Sequence, residues 1–319
     1  MTTATITGRS VANATTATRP RELSRRPRRR ENLAGWAFLA PFAIAFAAFL
    51  LIPMIIGLYL SLTDQSLAGA GGVFVGLQNY AEALTDGDMW RSLGNTAWFT
   101  LISTIPLVAL ALIMAVLVEQ GIPGQWLWRL SYFMPFLLAS TVVSQIWIWI
   151  FNPQLGAANG LLTSLGLAPV SWLQDPNTAM WSIVIATVWW TVGFNFLLYL
   201  AAIQNIPAQT YEAAALDGAS TWRQVWSITL PQLAPTTVLV VMLQILASLK
   251  LFDQVYQMTL GTGGPGGAVR SIVEYIYDSG FTGYRLGYSA AISYVFFAIV
   301  VIVSIAQFRV TRAASRRNG

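Results

Sequence analysis

The sequence predicts an all-α, polytopic membrane protein with about six transmembrane helices. Three observations carry this. The 319 residues are 55% hydrophobic and only 10% charged, where an average soluble domain carries roughly 25% charged residues. Six apolar runs divide the chain, each of about 20 residues or more, enough at a 1.5 Å rise to cross roughly 30 Å of hydrocarbon. The basic residues gather at the two ends, eight of 18 in the first 30 positions and four in the last eleven.

The elements follow in order. Residues 1–32 are rich in Thr, Ala, Arg and Pro and read as a disordered basic tail. The first apolar run, 33–62, is about twice the 7–15 residues of a secretory core, so it reads as a retained helix. Residues 63–91 are polar, with Asp64, Glu82, Asp86 and Asp88 against one Arg. The second span is 93–118. A Gly-Ile-Pro-Gly turn leads to the third, 128–151. Residues 152–178 carry Pro153, Gly156, Gly160, Gly166, Pro169 and Pro176 and read as a loop. The fourth span is 179–203 and the fifth 235–256. A Gly-rich loop, 261–267, and a short polar helix precede the sixth span, 286–308; residues 309–319 form a second basic tail. Six crossings place both termini on one side, and the flanking Arg residues make that side cytoplasmic. The 63–91, 152–178 and 257–285 loops then face outward.

Composition also excludes chemistry. With no Cys and no His, thiolate sites, the commonest general base and the commonest metal ligand are gone. The single Lys, Lys250, follows Leu249, so no phosphate-binding G-x-x-x-x-G-K-[ST] loop exists. The chain is expected to be no enzyme, to bind no metal or cofactor of its own, and to bind no nucleic acid, since its basic N-terminus lacks interleaved aromatics.

Residues 205–231 read NIPAQTYEAAALDGASTWRQVWSITLP. Pro207 suits a helix start, the Ala-rich run to Asp217 favours helix, and Gly218 suits its stop. Ser220 or Thr221 can cap a second helix ending before Leu230-Pro231. Ala213, Ala214 and Ala215 make a smooth face that another protein can approach closely. Asp217 sits where the helix dipole disfavours a negative charge, which suggests a partner group there; a partnerless interfacial helix is the alternative.

Glu212, Ala213, Ala214, Gly218, Ile228, Leu230 and Pro231 match the E-A-A…G…I-x-L-P pattern, and this loop resembles the coupling loop of ABC importer permeases. The F-V-G-L-Q-N-Y segment at 74–80, Asn95-Thr96, and K-L-F-D-Q-V-Y-Q-M-T-L-G-T-G-G-P at 250–265 are similar to maltose-type carbohydrate and glycerol-phosphate permeases. The resemblance implies a type I importer permease fold over 33–308, in a bacterial cell membrane. It implies that 205–231 docks on a separate ATPase, through Glu212, Ala213, Ala214, Asp217, Gly218, Leu230 and Pro231. It implies a second permease subunit, two copies of the ATPase holding ATP and Mg, an extracytoplasmic solute-binding protein, and a sugar or sugar-like solute. The chain resembles the larger maltose permease subunit, but that subunit's extra N-terminal spans and large outer domain have no counterpart expected here, so its solute contacts do not carry over.

Candidate solute-path residues come from the spans, because a polar or charged group there is costly unless it faces protein or water. These are Gln145 and Trp147 on the third span, Phe194, Asn195 and Tyr199 on the fourth, and Ser248, Lys250, Phe252 and Asp253 on the fifth. Ser144, Trp190 and Gln244 are further polar and aromatic candidates. Asn195 reads equally as an interhelical hydrogen bond. Lys250 and Asp253, three apart, should share one helix face, as an ion pair or as path lining. An ion-gradient-driven secondary transporter is the rival function. It requires buried mid-span carboxylates, and only Asp253 qualifies.

Overall fold

The computed structural model describes the backbone of residues 28–317 except 70 and 122. The chain divides into two compact units, Met1–Met54 and Ile55–Gly319. Most of the expected N-terminal tail, residues 1–27, lies outside the described residues, and from Arg28 the chain is already helical.

The first unit contains helix α1 (Arg28–Phe46) and a π-helical turn, Ala47–Leu51. Helix α2 (Ile52–Ser61) begins here and ends in the second unit. The π turn precedes Pro53. A proline ring collides with the carbonyl four residues back, and the wider π turn makes room for it. The same device recurs below at Pro231.

The second unit is helical throughout its regular elements. Helix α3 (Gln78–Thr85) lies in the 63–91 segment. Asp86 caps the long α4 (Gly87–Glu119) by accepting the N–H groups of Asp88 and Met89 at 2.9 and 3.2 Å. Then come α5 (Gln125–Phe133), a 3₁₀ turn Met134–Leu137, α6 (Ser140–Ile150) and α7 (Ala157–Ser164). Asp175 caps α8 (Pro176–Gln204), with Pro176 in the first turn, where its missing N–H costs nothing. Helices α9 (Ala208–Leu216) and α10 (Thr221–Gln224) form the 205–231 element. A π turn, Val225–Thr229, leads into α11 (Leu230–Leu249). The chain closes with α12 (Asp253–Met258), α13 (Ile272–Tyr277), a π turn Asp278–Thr282 and α14 (Leu286–Arg317).

Five stretches are long and apolar enough to cross a membrane: Trp36–Ser61, Gly87–Glu119, Pro176–Gln204, Thr221–Leu249 and Leu286–Arg309. A sixth arises if the bent pair Gln125–Leu137 and Ser140–Ile150 is one span. The all-helical fold and the span number agree with expectation. The core is the contact of α4 with α8 and α11. Ser103, Leu107, Ala111 and Ala115 recur every four residues on α4 and are all buried. Small side chains at that spacing let helix backbones approach closely, which drives packing where lipid is as apolar as the helices.

Three expectations are corrected. The third span is not one straight helix: its two halves meet at 98°. Pro135 starts the disruption, and Leu138 and Ala139 are extended, with ψ near 145°. The Trp190 indole N–H donates to the Leu138 carbonyl at 3.2 Å, satisfying an acceptor that the break frees. Second, the fifth span ends at Leu249 rather than at 256, so Lys250 and Asp253 do not share a helical face. Lys250 closes α11, Asp253 opens α12, and no ion pair joins them among the described residues. Third, the helix after Ser220 does not stop before Leu230; the Val225–Thr229 π turn carries it past Pro231 into α11. Helix α14 runs on to Arg317, through much of the second basic stretch, where Ala, Arg, Ser, Thr and Val follow one another without Pro or Gly to break the helix.

Candidate functional site

At one end of the second unit α9, Gly218 and α10 project from the bundle. No residue of α9 is buried. Glu212, Ala213 and Asp217 are exposed and Ala214 is half-buried. Gly218 adopts φ +80°, the left-handed conformation that ends α9. A Cβ there would meet nothing within 4 Å, so the backbone angle, and not crowding, requires glycine. Ser220 then caps α10 by accepting the Arg223 N–H at 3.4 Å. Leu216 stands 90% exposed beside the turn. Its exposure could have been read from the sequence, because an apolar residue in the last turn of an otherwise solvated helix has no core to enter.

The element rests on the bundle by few ties. The Tyr211 and Thr229 hydroxyls bond at 3.0 Å. Behind the element lies an open cavity of about 530 Å³, bordered by Glu119, Gln204, Tyr211, Thr221, Gln224 and Thr229. Glu119 is held by Arg129 at 3.5 Å. Leu230 is half-buried and Pro231 exposed where α11 begins, and Ile228 is half-buried in the π turn. The structure therefore brings Glu212 to Gly218 together on one exposed turn and leaves Leu230 and Pro231 at the root of the element.

The solute-path candidates separate into two groups. Asn195 is 2% exposed; its amide donates to Gln244 Oε1 at 3.2 Å, and Gln244 Nε2 donates to Ser248 Oγ at 3.1 Å. Ser248 Oγ lies 3.4 Å from Ser103 Oγ. This chain of amides and hydroxyls stitches α8, α11 and α4 together inside the bundle. Tyr199 is fully buried near Thr237, with no hydrogen bond of good geometry to its hydroxyl. Ser144 is buried as well.

The second group borders the two helix breaks. Ser140, first residue of α6, donates to Asp253 Oδ2, first residue of α12, at 3.3 Å. Lys250, Asp253 and Gln145 are exposed. Phe194 stacks on Phe136 at 5.2 Å, and Phe252 on Tyr256 at 5.1 Å. Trp147 packs between Phe151 and Trp189, its indole N–H unpartnered. Behind the first break, Gly193 lets α8 approach α5: a Cβ there would fall 2.1 Å from the Tyr132 carbonyl oxygen. The break and Ser140 were missed in the sequence, and Pro135 was their only signal. Irregular backbone at membrane depth persists where it is buried in protein or lines a water-filled cavity.

At the opposite end the loops are cross-braced. Asp86 accepts the Tyr275 hydroxyl at 2.5 Å and also the Tyr288 hydroxyl. Burial works to raise the Asp86 carboxyl, but these two hydroxyls and the N–H groups of Met89 and Asp88 outweigh it, and its pKa lies below the ordinary value. Tyr275 is pushed up to about 12 by burial and by Asp86. Arg285 pairs with Glu82 at 2.7 Å and lies over the Tyr288 ring at 4.2 Å. Among the described residues no cluster of three or more acidic side chains could hold a metal ion.

Residues 89–316 match the sequence profile of a family described as binding-protein-dependent transport system inner membrane component. YurN of Bacillus subtilis, a probable ABC transporter permease protein, is 34% identical over 278 residues, 86% of this chain and 94% of that protein. UgpA of Agrobacterium fabrum, an sn-glycerol-3-phosphate transport system permease protein, is 33% identical over 277 residues, 86% of this chain and 93% of that protein. Among solved structures, a bacterial ABC transporter involved in the import of the acidic polysaccharide alginate aligns with a TM-score of 0.78 and 21% identity. That alignment covers 89% of this chain and 96% of that one.

Proposed function

The chain belongs to the family of binding-protein-dependent transport system inner membrane components and is an ABC importer permease; from that premise we propose that it forms half of an import path for a sugar or sugar-like solute and is driven through its 205–231 element. The observation that carries this reading is the turn from Glu212 to Gly218. It is largely exposed, carries three successive alanines, Ala213–Ala215, is closed by a glycine at φ +80° and is loosely tied to the bundle. A surface of that kind fits a groove on a separate ATPase, which would hold ATP and Mg and hydrolyse it. Leu216 would be its apolar anchor. The chain itself converts the ATPase's closure into a change of access.

In this reading the end bearing 205–231 and both termini are cytoplasmic, consistent with the terminal Arg residues. A second permease subunit completes the path and two ATPase subunits serve the pair. The opposite end receives a solute-loaded binding protein; a solved relative is described in complex with an alginate pentasaccharide-bound periplasmic protein. The exposed residues at the two helix breaks, Gln145, Phe194, Lys250 and Asp253, border the solute, with half-buried Phe252 and Trp147 beside them. Asn195, Tyr199 and Ser248 form the wall behind. The carbohydrate assignment follows relatives named for sn-glycerol-3-phosphate, sulfoquinovosyl glycerol and trehalose/maltose transport.

The test is purification in mild detergent after co-expression with the neighbouring genes. An ATPase subunit should co-purify, and its activity in the reconstituted complex should rise when a loaded binding protein is added, screened over sugars and phosphodiesters. If no ATPase ever co-purifies, the reading fails.

A further inference from the structure

Glu274 is the only charged side chain among the described residues that is fully buried, at 0% exposure. Ser271 and Glu274 have the S-x-x-E spacing of a capping box, in which each side chain bonds the other's backbone. Only half of it forms. Ser271 Oγ accepts the Glu274 N–H at 3.1 Å. The two carboxylate oxygens make no hydrogen bond of good geometry and only lie near the N–H groups of Ser271 and Gly263. This chain's own atoms cover the carboxylate, which is 0% exposed. An unpaired charge in such a place is costly.

The surroundings form a small machine part. The 261–270 loop is folded tightly, with Gly261, Gly263, Gly264, Gly266 and Gly267 all at positive φ. Asn95 of α4 donates to the carbonyls of Gly267 and Arg270 at 3.2 and 3.1 Å, and Thr96 Oγ1 accepts the Ile272 N–H at 2.9 Å. Arg270 donates to the Thr262 carbonyl at 3.2 Å, and its Nε lies 3.7 Å from Asp278 Oδ2, a distant pairing. Of the charges on elements packed against α13, Asp278 and Arg270 act most on Glu274, in opposite directions. Asp86 is engaged by Tyr275 and Tyr288, and Arg285 by Glu82. Asp88 and Arg91 border, with Arg270, an open cavity of about 380 Å³. Tyr256 of α12 feels the Glu274 charge more weakly than that of Tyr277.

We propose that Glu274 is a proton-binding site that controls the 261–270 loop: the neutral acid keeps the loop folded as observed, and ionisation draws Arg270 off Asp278 and loosens the loop. Burial first, then the Asp278 charge, push the Glu274 carboxyl from its ordinary 4.5 to about 7. A folded loop that raises an acid's pKa gains its full advantage below pH 4.5. It loses about tenfold of that advantage per pH unit as pH rises toward 7, and loses no more beyond. The same loop also borders a second cavity, of about 450 Å³, with Asn152 and Gln174. Where this end receives a binding protein, a point that rests on the reading above, docking would strengthen as the outer medium acidifies.

The experiment is hydrogen exchange on the full chain in lipid nanodiscs, with no partner present, so that its failure is separable from failure of the docking reading. After correction for intrinsic exchange, loop opening over residues 261–270 should rise about tenfold per unit between pH 5 and 7 and level off above. Glu274→Gln should hold the loop closed at every pH. Arg270→Gln, which removes the cation favouring ionised Glu274, should move the midpoint to higher pH. A wild-type loop whose opening does not change with pH overturns the proposal, as does a Glu274→Gln loop as pH-dependent as wild type. If Glu274→Gln fails to fold, an unmoved midpoint in Arg270→Gln overturns it instead.

Discussion

The two ends of the second unit are built on opposite principles. At one, the α9–Gly218–α10 element buries nothing in its first helix, leans on a Tyr211–Thr229 contact and covers an open cavity. At the other, Asp86, Tyr275, Tyr288, Glu82 and Arg285 lock α3, α4, α13 and α14 together, and an apolar cluster of Ala83, Met89, Ile272, Tyr288 and Ile292 fills the space between them. Elements that move or dock are drawn from the less stable parts of a structure. The loose end is suited to being pushed by a partner. The braced end is suited to holding a docking face, with one deliberate weakness at Glu274.

The largest effect should come from breaking the braced end. Asp86→Ala removes a helix cap and two tyrosine bonds to a charged acceptor. It should cost about 3 kcal/mol, read as a lower unfolding midpoint of the purified chain. The pH dependence has a definite sign. Because the folded chain lowers the Asp86 pKa, its contribution is complete above the ordinary carboxylate value near 4 and fades as pH falls through the lowered one. Asn195→Ala, in the seam between the ends, strands Gln244 Oε1 and should cost about 2 kcal/mol. If stability is untouched and only solute-stimulated activity falls, Asn195 contacts solute and does not serve as wall.

The loose end should respond in function and hardly in stability. Gly218→Val puts a β-branched residue where φ is +80°, at about 1–2 kcal/mol; the exposed turn should relieve this by rearranging locally, so solute-driven uptake should drop about 5- to 30-fold while membrane insertion and unfolding stay near normal. Leu216→Ala should weaken ATPase binding by about fivefold, the loss of a modest anchor of about 1 kcal/mol, with no change in unfolding. Reversal of this pattern, with Gly218→Val unfolding the chain and Asp86→Ala impairing only coupling, would break the contrast between the ends.

Much of the fold was legible because hydrophobic length and charge placement survive without tertiary information. The Gly218 stop and the E-A-A segment are local signals too. What was not legible depended on neighbours. Pro135 does not say whether a helix kinks slightly or turns through 98°; the Trp190 indole and the close approach at Gly193 settle that. Pro231 reads as a stop, yet the π turn before it lets the helix pass. Lys250 and Asp253 read as helical neighbours because nothing in K-L-F-D marks a break. Nothing in the sequence singled out Glu274, whose burial follows from how the glycine loop, α4 and α14 close around it. For Asn195 the sequence left two roles open, and the structure shows the hydrogen bond to Gln244.

The central claim, that the exposed turn at 205–231 is where an ATPase engages, can be tested against a silent background, since the chain has no Cys. Ala213→Cys on that turn and Gln174→Cys at the braced end, both exposed positions, would each be treated with a short thiol cross-linker in membranes co-expressing the ATPase. Cross-linking to the ATPase from Ala213→Cys and none from Gln174→Cys is the predicted result. No adduct from Ala213→Cys, or equal adducts from both, would contradict it.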